Sequence, residues 1–143
     1  LYSKKVCEYL HNLGFPKGKK LKSNPKIPHY ILAKPELAAA CIRGLVDTDG
    51  SITPHPNSKI MMHLSVVSDS LRDSAYNAFN ILGIKAGKYN KGITLYGKEK
   101  LKDFFKIVGT SNLKNIMKYK KFLEIGEVPR SKEIEIFLRE EKR

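Results

Sequence analysis

Apolar residues recur along the chain at two spacings, one typical of amphipathic helices and the other of half-buried strands. Helical spacing predicts helices at 3–13, 69–82, 98–108, 112–125 and 131–141. In the second of these segments, Leu71, Ala75 and Phe79 would share one face, and either Ser68 or Ser70 would be the N-cap. The chain is therefore predicted to contain several short amphipathic helices.

Two predicted hairpins lie between these helices. Strands are predicted at 51–53, 59–68, 84–90 and 92–96. In the second strand, Met62 and Leu64 alternate with His63 and Ser65, so one face is apolar and the other is mixed. The element order, α-α-β-β-α-β-β-α-α-α, predicts an α+β fold in which helices cover one face of a four-stranded antiparallel sheet.

The uncovered face of this sheet would form a saddle that suits duplex DNA, because a β-ribbon can enter the major groove. The candidate DNA-binding residues are Thr53, His55, His63 and Ser65 on the first hairpin and Lys85, Lys88, Tyr89 and Lys91 on the second.

The segment from Pro35 to Ser51 organises the rest of the chain. Pro35 presets φ for the first helical position, and several alanines follow without an interior proline, so a helix is predicted at 34–49. The turn-forming residues 47–50 then end this helix and lead into the first strand. Asp47 and Asp49 are thereby delivered into a tight turn above the sheet.

One side of this helix is nearly free of large side chains. Ala40 and Gly44 are four residues apart and share that side, and Leu37, Cys41 and Val46 are expected on or beside its flanks, where they would supply apolar contact. We call Leu37, Ala40, Cys41 and Gly44 the small-residue face. Small residues at this spacing allow a second backbone to come close. If two copies of the helix packed together, each Asp49 would lie near the symmetry axis, where paired carboxylates can hold a divalent metal.

The charge balance favours a polyanionic partner. Lysine and arginine number 27 against 14 acidic residues, a formal net charge of +13, and nucleic acid is the first candidate. From charge alone, the alternatives are a solvated lysine surface and a structural role of the ribosomal type. Lysines are concentrated between residues 16 and 28, where the composition fits a solvated linker and a phosphate-contacting arm equally well.

The length fits one domain. We expect a lead-in helix and basic loop at 1–33, the motif helix at 34–49, a core at 50–125 and a C-terminal helix at 126–143. No apolar run approaches the ~20 residues needed to span a bilayer, and no signal-peptide pattern is found, so we expect an intracellular protein with no membrane partner. Cys7 and Cys41 match no metal-ligand spacing and are expected to be reduced thiols. The start at Leu1 rather than Met is consistent with a fragment or a processed piece.

Residues 42–50 read Ile-Arg-Gly-Leu-Val-Asp-Thr-Asp-Gly, which resembles the signature of the LAGLIDADG homing endonucleases. Residues 13–20 and Ile27-Pro28 resemble the segment that precedes this motif in intein and archaeal-intron members, and 82–84 and 111–114 resemble later segments. The resemblance covers most of the chain in the right order. It implies an αββαββα unit with a saddle-shaped sheet.

The resemblance also implies roles for the residues at the end of the motif. Asp49 matches the metal-binding catalytic carboxylate, the carbonyl of Thr48 matches a further metal contact, and Asp47 matches a residue that caps the helix and braces the turn. The implied cofactor is Mg²⁺ or another divalent cation, which activates water and neutralises the leaving oxygen. The alternative is that both aspartates are only helix-end and turn residues.

Two further catalytic positions are implied. The family places a lysine near the scissile phosphate, and Lys114 is the best match, with Lys118 and Lys120 as fallbacks. The family often has a polar residue, commonly glutamine, late in the second strand, and here Ser68 stands closest. This departure weakens the case for efficient cleavage without affecting the case for DNA binding.

The chain contains one copy of the motif, whereas cleaving both DNA strands needs two aspartates. It is therefore interpreted as a homodimer, with half of a two-motif protein as the alternative. Three functions fit the resemblance: a site-specific, Mg²⁺-dependent double-strand DNA endonuclease of introns or inteins, a maturase that binds intron RNA, and a DNA-binding protein without catalysis. Retention of Asp49 and Lys114 favours the first.

Overall fold

The computed structural model describes residues 4–14 and 24–140, so most of the predicted basic loop lies outside the described residues. The helices are α1 (Lys4–Asn12), α2 (His29–Leu32), α3 (Pro35–Asp49), α4 (Asp69–Ile81), α5 (Lys98–Ile107), α6 (Leu113–Ile125) and α7 (Ser131–Glu140). The strands are β1 (Gly50–His55), β2 (Lys59–Ser65), β3 (Gly87–Tyr89) and β4 (Gly92–Tyr96). In the described residues, no helix is long and apolar enough to cross a membrane.

The predicted elements are found in the predicted order, with four differences. Strand β1 runs from Gly50 to His55 rather than over 51–53, and it follows α3 without the predicted turn, so Asp47 and Asp49 both lie in the last turn of the helix. Helix α2 is an addition of one short turn that starts after Pro28. Strand β2 ends at Ser65 rather than Ser68, because Ser68 is the N-cap of α4. Strand β3 starts at Gly87 rather than Ile84, because the N–H of Ile84 instead closes the end of α4 on the carbonyl of Phe79.

The four strands form one antiparallel sheet in the order β1-β2-β4-β3. Its apolar face is fully buried, and α3, α4 and α5 pack against it. The buried residues of that face are Ile52, Ile60, Met62, Leu64, Ile93 and Leu95. Strands β2 and β4 approach closely at Gly92, where an added Cβ would lie 2.1 Å from the carbonyl oxygen of Leu64. The predicted α+β fold, with helices on one face of an antiparallel sheet, is confirmed.

Helix α6 covers the free edge of β1. The Asn115 side chain donates to the Gly50 carbonyl at 3.1 Å and accepts from the Ile52 N–H at 3.2 Å. Lys118 Nζ donates to the Ile52 carbonyl at 2.9 Å. The next residue that faces this edge is Pro54, which has no N–H to leave unsatisfied. The strand that follows α3 is therefore held on one side by β2 and on the other by α6.

Candidate functional site at the end of helix α3

Asp49 is the last residue of α3, and its side chain is exposed. The only hydrogen bond to its carboxylate among the described residues comes from the hydroxyl of Thr48, at 3.1 Å, and no ion pair involves it there. The carbonyl end of a helix carries partial negative charge, so a carboxylate there costs about 0.3–1 kcal/mol unless it is compensated. An exposed carboxylate held in this position is suited to binding a cation.

Asp47, two residues earlier, is fully engaged by the segment that leads into α6. Its carboxylate accepts hydrogen bonds from the hydroxyls of Thr110 and Ser111 and from the N–H groups of Ser111 and Asn112. The side-chain amide of Asn112 donates in turn to the backbone carbonyl of Asp47 at 3.3 Å. Partial burial alone would raise the pKa of the Asp47 carboxyl, but these donors outweigh it and the pKa lies below its usual range. Asp47 therefore fastens the end of α3 to the start of α6.

The junction between α3 and β1 requires a glycine. Gly50 continues directly into the strand with its N–H bonded to the carbonyl of Val46. An added Cβ would lie 2.5 Å from that oxygen and 2.7 Å from the Cγ1 of the same residue. Together with Asn115, which holds the Gly50 carbonyl, this tight passage fixes the backbone that carries Asp49.

The small-residue face of α3 is open to solvent in the single chain. Leu37 is 40% exposed, Ala40 and Gly44 are exposed, and a Cβ added at Gly44 would meet nothing within 4 Å. Cys41 is half-buried, and burial raises the pKa of its thiol. The opposite side of the helix, formed by Ala38, Ile42 and Val46, is buried in the core, so the prediction that Val46 flanks the small-residue face is wrong. Leu37, Ala40 and Gly44 thus lie on a side that the chain itself leaves uncovered, whereas Cys41 packs partly against the core.

The uncovered face of the sheet carries most of the predicted DNA-binding residues. The register aligns Ser51 with His63 and Thr94, and Thr53 with Met61 and Tyr96. His63 Nε2 is hydrogen-bonded to the hydroxyl of Tyr89 on the far hairpin. The rings of His55 and Tyr96 meet edge to face, with centroids 5.0 Å apart. Sequence reasoning missed Tyr96, although its alternation with Thr94 in β4 could have placed it on this face.

Lys88 is not on that face. Its Nζ lies 2.9 Å from a carboxylate oxygen of Asp73 and 5.4 Å from the centroid of the Tyr76 ring, both on α4. Lys85 precedes β3 and Lys91 lies in the turn between β3 and β4, and both are exposed. Successive side chains of a strand point to opposite faces of the sheet, so of these two neighbours only Tyr89 can reach a ligand on the uncovered face.

The family model described as LAGLIDADG-like domain matches residues 36–121, which run from the start of α3 into α6. The chain belongs to the LAGLIDADG family. The match spans the sheet, the small-residue face and both aspartates. Neither a curated protein nor a solved structure matches the chain.

The LAGLIDADG aspartate Asp49 lies in a cleft of about 240 Å³ between the end of α3 and the segment that joins β2 to α4. The cleft is lined by Pro25, Leu45, Asp49, Ser65, Val66, Val67, Ser68 and Leu71. Two predicted catalytic residues, Asp49 and Ser68, are thus brought to one site, together with Ser65. The Ser68 hydroxyl accepts from the N–H of Leu71 at 3.5 Å and so also serves as the N-cap of α4.

The candidate lysines of the LAGLIDADG chain do not line this cleft. Lys114 Nζ lies 2.7 Å from a carboxylate oxygen of Glu135 on α7, which lowers the pKa of that glutamate. Lys118 is buried along the edge of β1, and burial, with a smaller contribution from the charge of Lys114, lowers the pKa of its amine. Lys120 is exposed on α6. None of the three is in contact with Asp49 in the single chain.

LAGLIDADG nucleases usually use a divalent metal. Within residues 4–14 and 24–140, no group of three or more histidine, cysteine, aspartate or glutamate side chains could hold a metal ion by itself. The oxygen donors at the end of α3 are the Asp49 carboxylate and the Thr48 carbonyl, since the carbonyls of Val46 and Asp47 accept from Gly50 and Asn112. These hard donors suit Mg²⁺, but they form only part of its six-oxygen shell. The fit therefore depends on a second copy and on ligands from water and substrate.

Proposed function

We propose that two copies of the chain pair through α3 and form a DNA endonuclease that uses a divalent cation. The observation that most directly supports this is the position of Asp49. Its carboxylate is exposed at the negative end of a helix, has only a hydroxyl as partner in the described residues, and belongs to the same helix as the open small-residue face.

Pairing through the small-residue face would bring two such carboxylates together. Ala40 and Gly44 allow the two helix backbones to approach closely, and Leu37 supplies apolar contact on the flank. A two-fold axis along this contact uses the same surface of both copies, as is usual in homodimers. Since Asp49 lies five residues, about 1.4 turns, beyond Gly44 at the very end of the same helix, pairing would bring the two helix ends and their carboxylates near one another.

The nucleic-acid surface would be the uncovered sheet face of both copies. A net charge of +13 per chain attracts a polyanion over a long range. The polar and aromatic side chains on that face, among them Thr53, His63 and Tyr96, can form hydrogen bonds and stacking contacts with base edges and sugars. DNA lying across two such saddles would pass over the ends of both α3 helices.

The reaction would be hydrolysis of a DNA phosphodiester, in which water adds to phosphorus and the P–O bond to one deoxyribose oxygen breaks, leaving a phosphate monoester and a sugar hydroxyl. When bound, a divalent cation would lower the pKa of the attacking water and neutralise charge on the leaving oxygen. Asp49 would hold that cation, and Asp47 and Gly50 would keep the helix end that carries Asp49 in place. The Ser65 and Ser68 hydroxyls in the cleft could orient water.

The experiment is cleavage of a supercoiled plasmid that carries the DNA junction flanking the protein's own coding segment. We expect linear product that requires Mg²⁺, is lost in Asp49→Asn, and is unchanged in the matched control Asp103→Asn, which alters an exposed aspartate on α5. Cleavage by Asp49→Asn at the wild-type rate would contradict the proposal.

A DNA-binding protein without catalysis is the second candidate, and two contacts favour it. The hydroxyl of Ser68 is occupied as a helix cap, and the amine of Lys114 is occupied by Glu135. If the wild-type protein binds the plasmid junction tightly but leaves it uncut in Mg²⁺ and Mn²⁺, this second function replaces the first. Binding of intron RNA in preference to the DNA junction would instead indicate a maturase.

A further inference from the structure

A short extended segment preceding the family match is fixed against α4. This segment, residues 24–28, is here called the strap. Ile27 is 4% exposed, and its N–H donates to the hydroxyl of Ser74 at 3.0 Å. At its beginning, Asn24 has a φ of 46° and its side chain accepts a hydrogen bond from the hydroxyl of Ser70. The strap therefore has a defined position although it lies outside residues 36–121.

The strap forms one wall of the cleft that holds Asp49. Pro25 lines this cleft opposite residues of α3 and of the segment between β2 and α4. Asp49 is the single charged residue among those that line it. Lys26 follows Pro25 directly, is exposed, and is held between Pro25 at the cleft wall and the buried Ile27. The strap thus fixes the backbone of an exposed lysine one residue from the wall of a cleft in which Asp49 is the one charged lining residue.

We propose that Lys26 binds a backbone phosphate beside the one held at Asp49, so that the strap is part of the nucleic-acid site. This inference rests on the proposed function. A phosphodiester that approaches Asp49 meets a like charge, and a cation carried on the strap beside the cleft would reduce that repulsion. Lysine suits this task because its ammonium acts as a point charge on a flexible stem.

The first test measures the salt dependence of binding to a random-sequence DNA duplex, which needs no knowledge of the target. Each phosphate contact contributes about 0.9 to the slope of log K against log salt concentration. We expect Lys26→Ala to lower the slope by about that amount per chain and Lys26→Arg to retain it. The control Lys102→Ala, at an exposed position on α5, should leave the slope unchanged. Equal slopes for Lys26→Ala and the wild-type protein would overturn the proposal.

The second test separates the strap's position from the charge of Lys26. Ser74→Ala removes the hydroxyl that holds the strap but leaves every charge in place. We expect it to weaken DNA binding by less than Lys26→Ala does, with circular dichroism unchanged. Wild-type affinity in Ser74→Ala would contradict the positioning role of the strap.

The cleavage assay distinguishes failure of this inference from failure of the proposed function. If the wild-type protein cleaves DNA, we expect Lys26→Ala to raise KM several-fold with a smaller effect on kcat, and Lys26→Arg to restore KM. Unchanged KM in Lys26→Ala would overturn the inference alone. If the wild-type protein does not cleave, the proposed function fails, and the salt slope still decides whether Lys26 contacts phosphate.

Discussion

Gly44→Leu should affect the folded chain and its self-association in opposite directions. A Cβ at this position meets nothing within 4 Å, so leucine fits the single chain without strain. Replacing glycine in an exposed helix by a good helix former stabilises a protein by about 0.5–1 kcal/mol. For a domain of this size, the melting temperature should rise by about 2–4 °C.

The same substitution should obstruct pairing through the small-residue face. Overpacking a close contact costs about 1–3 kcal/mol at each site. Because a symmetric dimer contains the substitution twice, we expect about 2 kcal/mol or more in total, which corresponds to dissociation that is about 30-fold or more easier.

Sedimentation equilibrium over a range of concentrations measures the dissociation constant, and thermal unfolding in dilute solution measures the stability of the single chain. Lys102→Leu is the matched control, because it adds the same side chain to an exposed site on α5. A Gly44→Leu protein that dimerises with wild-type affinity would refute the assigned face. A wild-type chain that stays monomeric at all concentrations would refute the homodimer itself.

Three further predictions concern the residues that support Asp49. Folding lowers the pKa of Asp47, so the ionised carboxylate stabilises the protein above about pH 4, and this stabilisation is lost as pH falls through the folded pKa. Urea unfolding at several acidic pH values should show the loss in the wild-type protein and not in Asp47→Asn. Burial lowers the pKa of Lys118, so burying the charged amine costs stability, and this cost should disappear as pH rises toward the unfolded pKa of about 10.4. The wild-type protein should therefore gain stability in that range relative to Lys118→Met. Gly50→Ala should lower the free energy of unfolding by about 1–3 kcal/mol because the added Cβ would collide with Val46, whereas the control Gly44→Ala should not destabilise the protein. A Gly50→Ala protein as stable as the wild type would contradict the tight junction.

Local patterns in the sequence were sufficient to predict most of the fold. The position of α3 follows from Pro35 and the alanines, and α4 follows from Ser68 and the apolar spacing after it. Strand ends were less predictable, because they depend on which backbone group takes each hydrogen bond. Ile84, for example, has the composition of a strand residue, but its N–H closes the end of α4.

The support of the candidate site could not be predicted from local pattern. Asp47 receives its donors from residues more than 60 positions away, and Lys118 finds its acceptor at Ile52 across a similar distance. The partner of Lys88 is an aspartate on α4, which places this lysine on the covered side of the sheet. Such contacts depend on the register of the sheet and the packing of helices against it. The family resemblance pointed to Asp49 but gave no sign that the strap would lie beside it.

The central claim is that a cation is held jointly by the ends of two paired α3 helices. Manganese binding, followed by electron paramagnetic resonance, tests this directly, because Mn²⁺ takes the same oxygen ligands as Mg²⁺. The account predicts that Asp49→Asn loses the bound ion and that Gly44→Leu, which keeps every ligand atom but blocks pairing, weakens its binding as well. A monomeric Gly44→Leu protein that binds Mn²⁺ as tightly as the wild-type protein would contradict it.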